Sequence, residues 1–570
     1  MPSRDSRTIA LISWGDLFDE DFLDTLVISF ATFRESFVGS WMFGYVDALR
    51  TAGVRTVIYV TSARVAHPLR FTHAPTGASV CVLPAPRAYV ALRRGMVRAN
   101  LWDIVGGDEG RGSARRQILL LLRQLAPYLA MPLGSLARDI RREGCEAILC
   151  QCYDHAKFDM AVLLGRLMRM PVYATHQGGM DLPLVSVERL VRPLSMRACS
   201  GFVVGTNPEI ERLHLRYRIP WARLARVFNP VDLSVWQQDD RNAARALLGI
   251  PNDARVVVWH GRVEIAQKGL DILLDAWRSL RRARPTWDLR LLLVGTGSDA
   301  AKLRRLLAES DAQGVTWIDE FVHDRVRLRR YLSSGDVYVL PSTGEGFPVA
   351  PLEAMACRLP VVATDVHGVP DILEGGTASG GLIVPPHNAV ALAEALASVL
   401  DDIGWARNLG NLARRRVEGQ FSLEAVGRQL RAFLFAGAET RTMQGHSDDR
   451  WAHGRECHMG TPLVLHGISP SSVPTGGRFN VQRNGQSALY LSAERACRGT
   501  LAVMDNQLLV TYYTSPSLLT ALVPPSLLRT SGTHEVHLSD GVRESNRLEF
   551  VVTERARDAA DRQSQVRLEV

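Results

Sequence analysis

The chain has 570 residues, 46% of them hydrophobic and 22% charged, with a formal net charge of +8 and an isoelectric point near 9.2. This is an ordinary soluble composition, and the length leaves room for about three or four domains of about 150 residues. No run of about 18 apolar residues is available for a membrane-spanning helix, the apolar stretch after Met1–Arg7 is too short for a secretory leader, and the eight scattered cysteines read as free cytoplasmic thiols.

Residues 1–230 alternate apolar runs with helical stretches. Ile9–Ser13 reads as a strand, Trp41–Ala52 as a helix closed by Gly53, and Val57–Val60 as the next strand. Ala147–Cys150, Val172–Thr175 and Gly201–Val204 continue the series. Continuous apolar strands separated by helices predict a parallel, doubly wound sheet. Residues 231–418 repeat the plan, with strands at Val256–Trp259, Arg290–Val294, Thr316–Ile318, Val337–Leu340 and Pro360–Ala363 and helices at Leu270–Arg282 and Ala389–Leu400. Two Rossmann-like α/β domains in succession create a cleft at the carboxyl ends of their strands, where ligands are expected.

A helix over about Ser422–Phe435 follows, then a polar linker at 437–460. Beyond it the period changes to short alternating runs at Gly476–Val481, Leu508–Tyr513, Glu535–Leu538 and Leu548–Val552, the pattern of an all-β sandwich over 461–553. The charged tail beyond Thr553 is expected to fray.

The densest chemistry lies in Gly344-Glu345-Gly346-Phe347-Pro348-Val349, which continues to Glu353. An apolar strand, a glycine loop and a helix starting near Pro348 or Val349 would place free N–H groups and a positive dipole end at the loop. A diphosphate suits that place, and Glu345 and Glu353 would each accept from the hydroxyls of a sugar and a ribose. His260-Gly261-Arg262 leads to Lys268-Gly269 after another strand. Arg262 and Lys268 would set a bidentate grip and a point charge against the negative charge left on a departing phosphate. His176 stands at a strand end beside two glycines, and Asp154 and His155 follow the Ala147–Cys150 strand, where they could face an acceptor.

The E-x7-E spacing in its "PS-x-x-EGFP" context, with the "GR…KG" pair, resembles retaining glycosyltransferases of family 4, which have the GT-B fold. The matches span about 147–375. The resemblance implies transfer of a hexosyl unit from a nucleotide diphosphate sugar to an acceptor hydroxyl. It implies catalytic roles for Glu345, Arg262, Lys268 and His176, and donor contacts from Gly261, Gly295, Gly346, Phe347, Pro348, Val349 and Glu353. No Asp-x-Asp metal site is apparent, so a metal-independent reaction without a bound cofactor is expected.

Several positions depart from the family's pattern or vary it. Pro230 replaces a glycine in Asn229-Pro230-Val231-Asp232, Asp371 stands for a glutamate in the loop after Thr364, and the glycine pair of the first loop is reduced to Gly39 after a long insertion over Asp16–Glu35. The acceptor site is therefore the least transferable part. Ile468–Gly477 and Leu519–Pro524 resemble an immunoglobulin-like TIG/IPT module, open to a protein partner, a glycan or its own enzyme core.

The expected partners are a nucleotide sugar and a carbohydrate or lipid-linked acceptor, with no nucleic acid. Arginines 93, 94, 98, 111, 115, 116 and 123 around Ile118–Leu122 fit either a core helix with a solvated basic face or a helix lying on an anionic membrane. That leaves a cytoplasmic enzyme with peripheral contact at the inner face of the membrane as an open reading. A glucan phosphorylase, and a non-catalytic sugar-nucleotide scaffold carrying the β module, are the competing functions.

Overall fold

The computed structural model describes residues 7–554 except 14–22, 24–27, 38–40, 99–121, 123, 177–185, 310–311, 443–461, 478, 481–486, 497–499, 506, 510, 516–517 and 540–542. The chain divides into two compact units, Met1–Thr442 and Met443–Val570.

The first unit holds two sheets. One is built from β1 (Arg7–Ile12), β2 (Val54–Ser62), β3 (Leu69–His73), β4 (Ala78–Pro84), β5 (Ala147–Cys150), β6 (Val172–His176), β7 (Gly201–Val204) and β8 (Leu224–Arg226) in the order 3-4-2-1-5-6-7-8. Its pairs are parallel except the β3–β4 hairpin. The second is built from β9 (Arg255–His260), β10 (Leu289–Val294), β11 (Val315–Ile318), β12 (Val337–Leu340), β13 (Val361–Thr364) and β14 (Gly381–Val384) in the order 11-10-9-12-13-14, parallel throughout. Apolar runs such as Val256–Val258 and Leu291–Leu293 are buried on both faces, because helices cover each side. The β3–β4 hairpin and the short β8 and β14 add edge strands that the sequence pattern does not announce.

Helix α1 (Trp41–Thr51) lies beneath the first sheet, and α2 (Ala156–Met168), α3 (Ser186–Ala198) and α4 (Asn207–Tyr217) follow β5, β6 and β7. In the second half, the single turn α5 (Ile265–Lys268) runs into α6 (Leu270–Ala283), and α7 (Ala350–Ala356) follows β12. A helix over Ile403–Gln420, not foreseen from the sequence, precedes α8 (Leu423–Thr442). Helix α8 returns to the first half: Val426, Leu430 and Leu434 share a core with Tyr45 and Leu49 of α1, and the Arg431 guanidinium donates to the Ala52 carbonyl at 2.7 Å. The expected linker at 437–460 begins inside this helix, and 443–460 lie outside the described residues.

The two halves also meet at the β8 end. Arg226 donates to Glu374 at 2.8 Å, and the Asn207 amide donates to Asp371 at 3.0 Å. Burial raises Glu374, but Arg226 and Arg416 outweigh it and hold this carboxyl below its usual range.

The second unit holds two sheets. One orders β15 (Val464–Ser469), β17 (Ser487–Glu494), β21 (Leu518–Val523) and β20 (Thr511–Ser515); the other orders β16 (Ser472–Pro474), β23 (Leu548–Thr553), β22 (Gly532–Ser539), β18 (Leu501–Met504) and β19 (Gln507–Leu508). Leu489, Leu491 and Ala521 of the first sheet share one core with Met504, Val536, Leu538 and Phe550 of the second. Along β17, Leu489, Leu491 and Ala493 are buried while Tyr490, Ser492 and Glu494 are exposed, the period of a strand with one dry face.

Candidate active site

The order of the second sheet reverses between β9 and β12, and the loops leaving these two strands part there and open a crevice. Strand β9 ends at His260 and β12 at Leu340.

Two glycines bring the loops together. Gly269 closes α5 with φ +61°, and a Cβ there would stand 2.0 Å from the Pro341 carbonyl oxygen. Only glycine allows both the left-handed turn and that approach. Lys268 is thereby carried to the β12 loop, where its Nζ donates to Glu345 Oε1 at 2.7 Å, and the Ser342 hydroxyl donates to the same oxygen at 2.7 Å. Both partners are largely buried, with side-chain exposures of 16% and 9%. Gly295, φ +137°, abuts the β9 loop so closely that a Cβ would fall 1.9 Å from the Gly261 carbonyl oxygen.

One step further, His260 Nε2 lies 2.8 Å from Glu353 Oε2. The other ring nitrogen, Nδ1, is buried with no hydrogen-bond partner. The Tyr338 hydroxyl donates to the His260 carbonyl at 3.2 Å. Helix α7 starts at Ala350, one residue later than the Pro348–Val349 start read from the sequence, with Val349 as its cap and no side chain capping its amides. Pro348 cannot donate and Pro351 follows inside the first turn, so the amides at this start that no side chain caps include those of Val349 and Ala350. The helix has seven residues, which keeps its dipole short.

Two cavities meet at His260. One, about 220 Å³, is lined by Lys268, Glu345, Phe347, Pro348 and Val349. The other, about 770 Å³, is lined by Gly261, Gly295, Glu353 and Asp324 and also by Ile28, Ser29, Thr32 and Phe37 of the first half. Arg262 lines neither. Its side chain is 68% exposed and its Nε lies 3.3 Å from Glu264, so the expected pair of cations converging on one point is a single cation, Lys268. The reason is local: α5 turns Lys268 inward, whereas Arg262 precedes that turn and points to solvent. Gly346 also lines neither cavity; its carbonyl accepts from His367 Nδ1 at 2.9 Å.

His176 sits at the end of β6, buried, with Nδ1 3.3 Å from Asp154 Oδ2 and 3.8 Å from Cys152 Sγ. Burial and the neighbouring Asp154 push the Cys152 thiol up to about 12. Among the described residues, Cys152, Asp154 and His176 are the one group of three whose ligand atoms lie within 4.8 Å of one another. Cys150 ends β5 fully buried, its thiol pushed to about 12 by burial. Burial lowers His155, which caps α2 rather than joining this group. His176 pairs in register with Val204, and the next residue, Gly205, packs on the Phe347 ring of the β12 loop. Phe228 also stacks on that ring, with centroids 5.6 Å apart. The first half thus reaches the Glu345 loop through the end of β7. The expected acceptor loop around Gly39, most of the Asp16–Glu35 insertion and the basic stretch around 118–122 fall largely outside the described residues.

Sequence reasoning missed His260, Ser342 and Cys152. Each is the hydrogen-bonding or contact partner of a residue it had singled out; His260 and Ser342 carry no spacing signal of their own, and Cys152, two positions from Cys150, reads as part of the same buried strand, whereas the strand ends at Cys150.

Residues 254–402 match the family model of glycosyl transferases group 1. The chain is 34% identical over 239 residues to D-inositol 3-phosphate glycosyltransferase of Kineococcus radiotolerans, covering 39% of this chain and 54% of that one. It is 30% identical over 193 residues to the lipopolysaccharide core biosynthesis mannosyltransferase LpsB of Rhizobium meliloti, covering 34% and 55%. The chain spans about half the length of the curated relatives it matches. Among solved structures, Anabaena Alr3699/HepE in complex with UDP superposes with a TM-score of 0.52 at 15% identity, over 76% of this chain and 99% of that one. Sucrose-phosphate synthase of Thermosynechococcus elongatus superposes with a TM-score of 0.51 at 21% identity, over 77% and 100%. The two Rossmann-like domains therefore have the GT-B architecture.

Proposed function

We propose that the protein is a retaining glycosyltransferase that moves a hexosyl unit from a nucleotide diphosphate sugar to an acceptor hydroxyl on a carbohydrate or lipid-linked molecule. The observation that carries this reading is the buried Lys268–Glu345 pair, adjoining the His260–Glu353 pair, at the reversal point of the second sheet.

Lys268 is paired with Glu345. An incoming diphosphate competes for Lys268 and frees Glu345 to accept from a sugar hydroxyl. The amides of Phe347, Val349 and Ala350 hold the phosphate oxygens, and Lys268 meets the charge that grows on the leaving phosphate. Glu353, oriented by His260, accepts from the ribose in the larger cavity. His176, held by Asp154, faces the donor from the other half. Arg262 joins only by leaving Glu264. The leaving phosphate takes the acceptor's proton as the acceptor attacks from the same face, so no side-chain nucleophile and no metal ion is required. The complex of Alr3699/HepE with UDP, a protein of the same fold, supports a nucleotide diphosphate as the donor's leaving part. No described helix is long and apolar enough to cross a membrane; we place the enzyme in the cytoplasm, with its second unit a TIG/IPT-like immunoglobulin-like module.

Incubation with a panel of nucleotide sugars tests the reading. Nucleotide release that disappears in Lys268→Ala and Glu345→Ala, resists EDTA, and yields a product with the donor's anomeric configuration supports it. Sugar-nucleotide binding without turnover on any acceptor would make the protein a scaffold instead.

A further inference from the structure

Strands β5 to β8 are consecutive neighbours in a parallel sheet, so right-handed crossovers lay α2, α3 and α4 side by side on one face. The outer surface of that layer has an unusual composition. Among the described residues from 156 to 223, the exposed ones are five leucines, one tryptophan, seven arginines, three prolines, one alanine and one asparagine, without a single Asp, Glu or Lys.

The leucines recur at helical spacing on the outward faces: Leu163 and Leu167 on α2, Leu190 and Leu194 on α3, Leu215 near the end of α4. Leu190 is 77% exposed and Trp221, just beyond α4, 57%. Arg166, Arg169, Arg189, Arg197, Arg216, Arg218 and Arg223 surround them. Of the acids described in the same stretch, Asp159 pairs with the buried Arg192 at 3.0 Å and Glu209 with Arg212 at 2.7 Å, while Glu188 and Glu211 are half-buried, Glu188 3.7 Å from Arg192. An ordinary solvated helix face mixes lysines and glutamates; this one has kept the residues that suit a boundary between hydrocarbon and anions.

We propose that the outer face of α2, α3 and α4 docks on an anionic lipid bilayer. Leucines enter the headgroup–acyl boundary while guanidinium groups grip lipid phosphates in bidentate fashion. A second copy of this chain is a poor occupant, because a two-fold contact would set seven arginines against seven. The inference stands apart from the proposed reaction, since it concerns a different surface and is read without turnover.

The test is co-sedimentation of the full chain with phosphatidylcholine vesicles, with and without phosphatidylglycerol. The chain should sediment with the anionic vesicles, stay in solution with the neutral ones, and be released by raised salt. The double variant Leu190→Ser, Leu194→Ser, whose side chains leave no core, should keep the wild-type melting temperature and lose at least tenfold in vesicle affinity. Arg189→Gln combined with Arg197→Gln should lose binding chiefly at low anionic content. Equal binding to neutral vesicles would overturn the proposal. So would full binding by the leucine variant, which would place the contact elsewhere on the chain, or a dimer in light scattering that the leucine variant abolishes.

Discussion

The two halves of the first unit share one plan, yet they hold their chemistry differently. After residue 231 the site is locked at the level of the backbone: Gly269 against Pro341 carries Lys268 to Glu345, and Gly295 against Gly261 fixes the loop that begins at His260. Before residue 231 the corresponding group, Cys152, Asp154 and His176, is held side chain to side chain across neighbouring strand ends. A diphosphate presents the same geometry whatever sugar it carries, so a cradle for it can be built into the main chain. The first-half group, proposed to face the donor through His176, has no such lock in the main chain.

That contrast can be broken in order of expected effect. Lys268→Ala should lower nucleotide release by about 10²–10³-fold, since it removes the one buried cation of the smaller cavity. An effect under about threefold would move the phosphate site elsewhere. Gly295→Ala should destabilise the second half by about 2–4 kcal/mol, because the new Cβ collides with the Gly261 carbonyl and its φ is unfavourable; denaturant unfolding measures it. Glu353→Gln should raise the donor KM about tenfold with little change in kcat, since the ribose contact proposed for it is a binding contact. Arg262→Ala should be the mildest site variant, within about threefold, because its charge is already solvated and shared with Glu264.

The seam between the halves gives a pH-dependent test. Glu374 is held below its usual range when folded, so its stabilisation is present above its unfolded pKa and is lost as pH falls through its folded one. Glu374→Gln should therefore lower the melting temperature at neutral pH, and the difference from wild type should shrink as the solution is acidified below the glutamate range.

Much of the fold is legible in the sequence because buried parallel strands are continuous apolar runs, as at Val256–Trp259 and Leu291–Val294. The β3–β4 hairpin escapes because Leu69–His73 alternates and lies at an edge, and the Ile403–Gln420 helix because its arginines dilute the apolar stripe. Within the site, Glu345, Lys268 and Glu353 stand out by spacing. Their partners Ser342 and His260 do not, since a hydrogen bond between loops leaves no period in the chain. Arg262 and Lys268 look equivalent as a pair of cations six positions apart; the inward turn of α5 separates them, and that turn depends on Gly269 meeting Pro341.

Calorimetric titration of nucleoside diphosphates into the wild-type chain and Lys268→Ala tests the crevice most directly. The account predicts that at least one nucleoside diphosphate binds the wild type and that the variant loses at least about tenfold in affinity while Arg262→Ala keeps most of it. Equal affinity in wild type and Lys268→Ala, or no binding by any nucleotide, would contradict it.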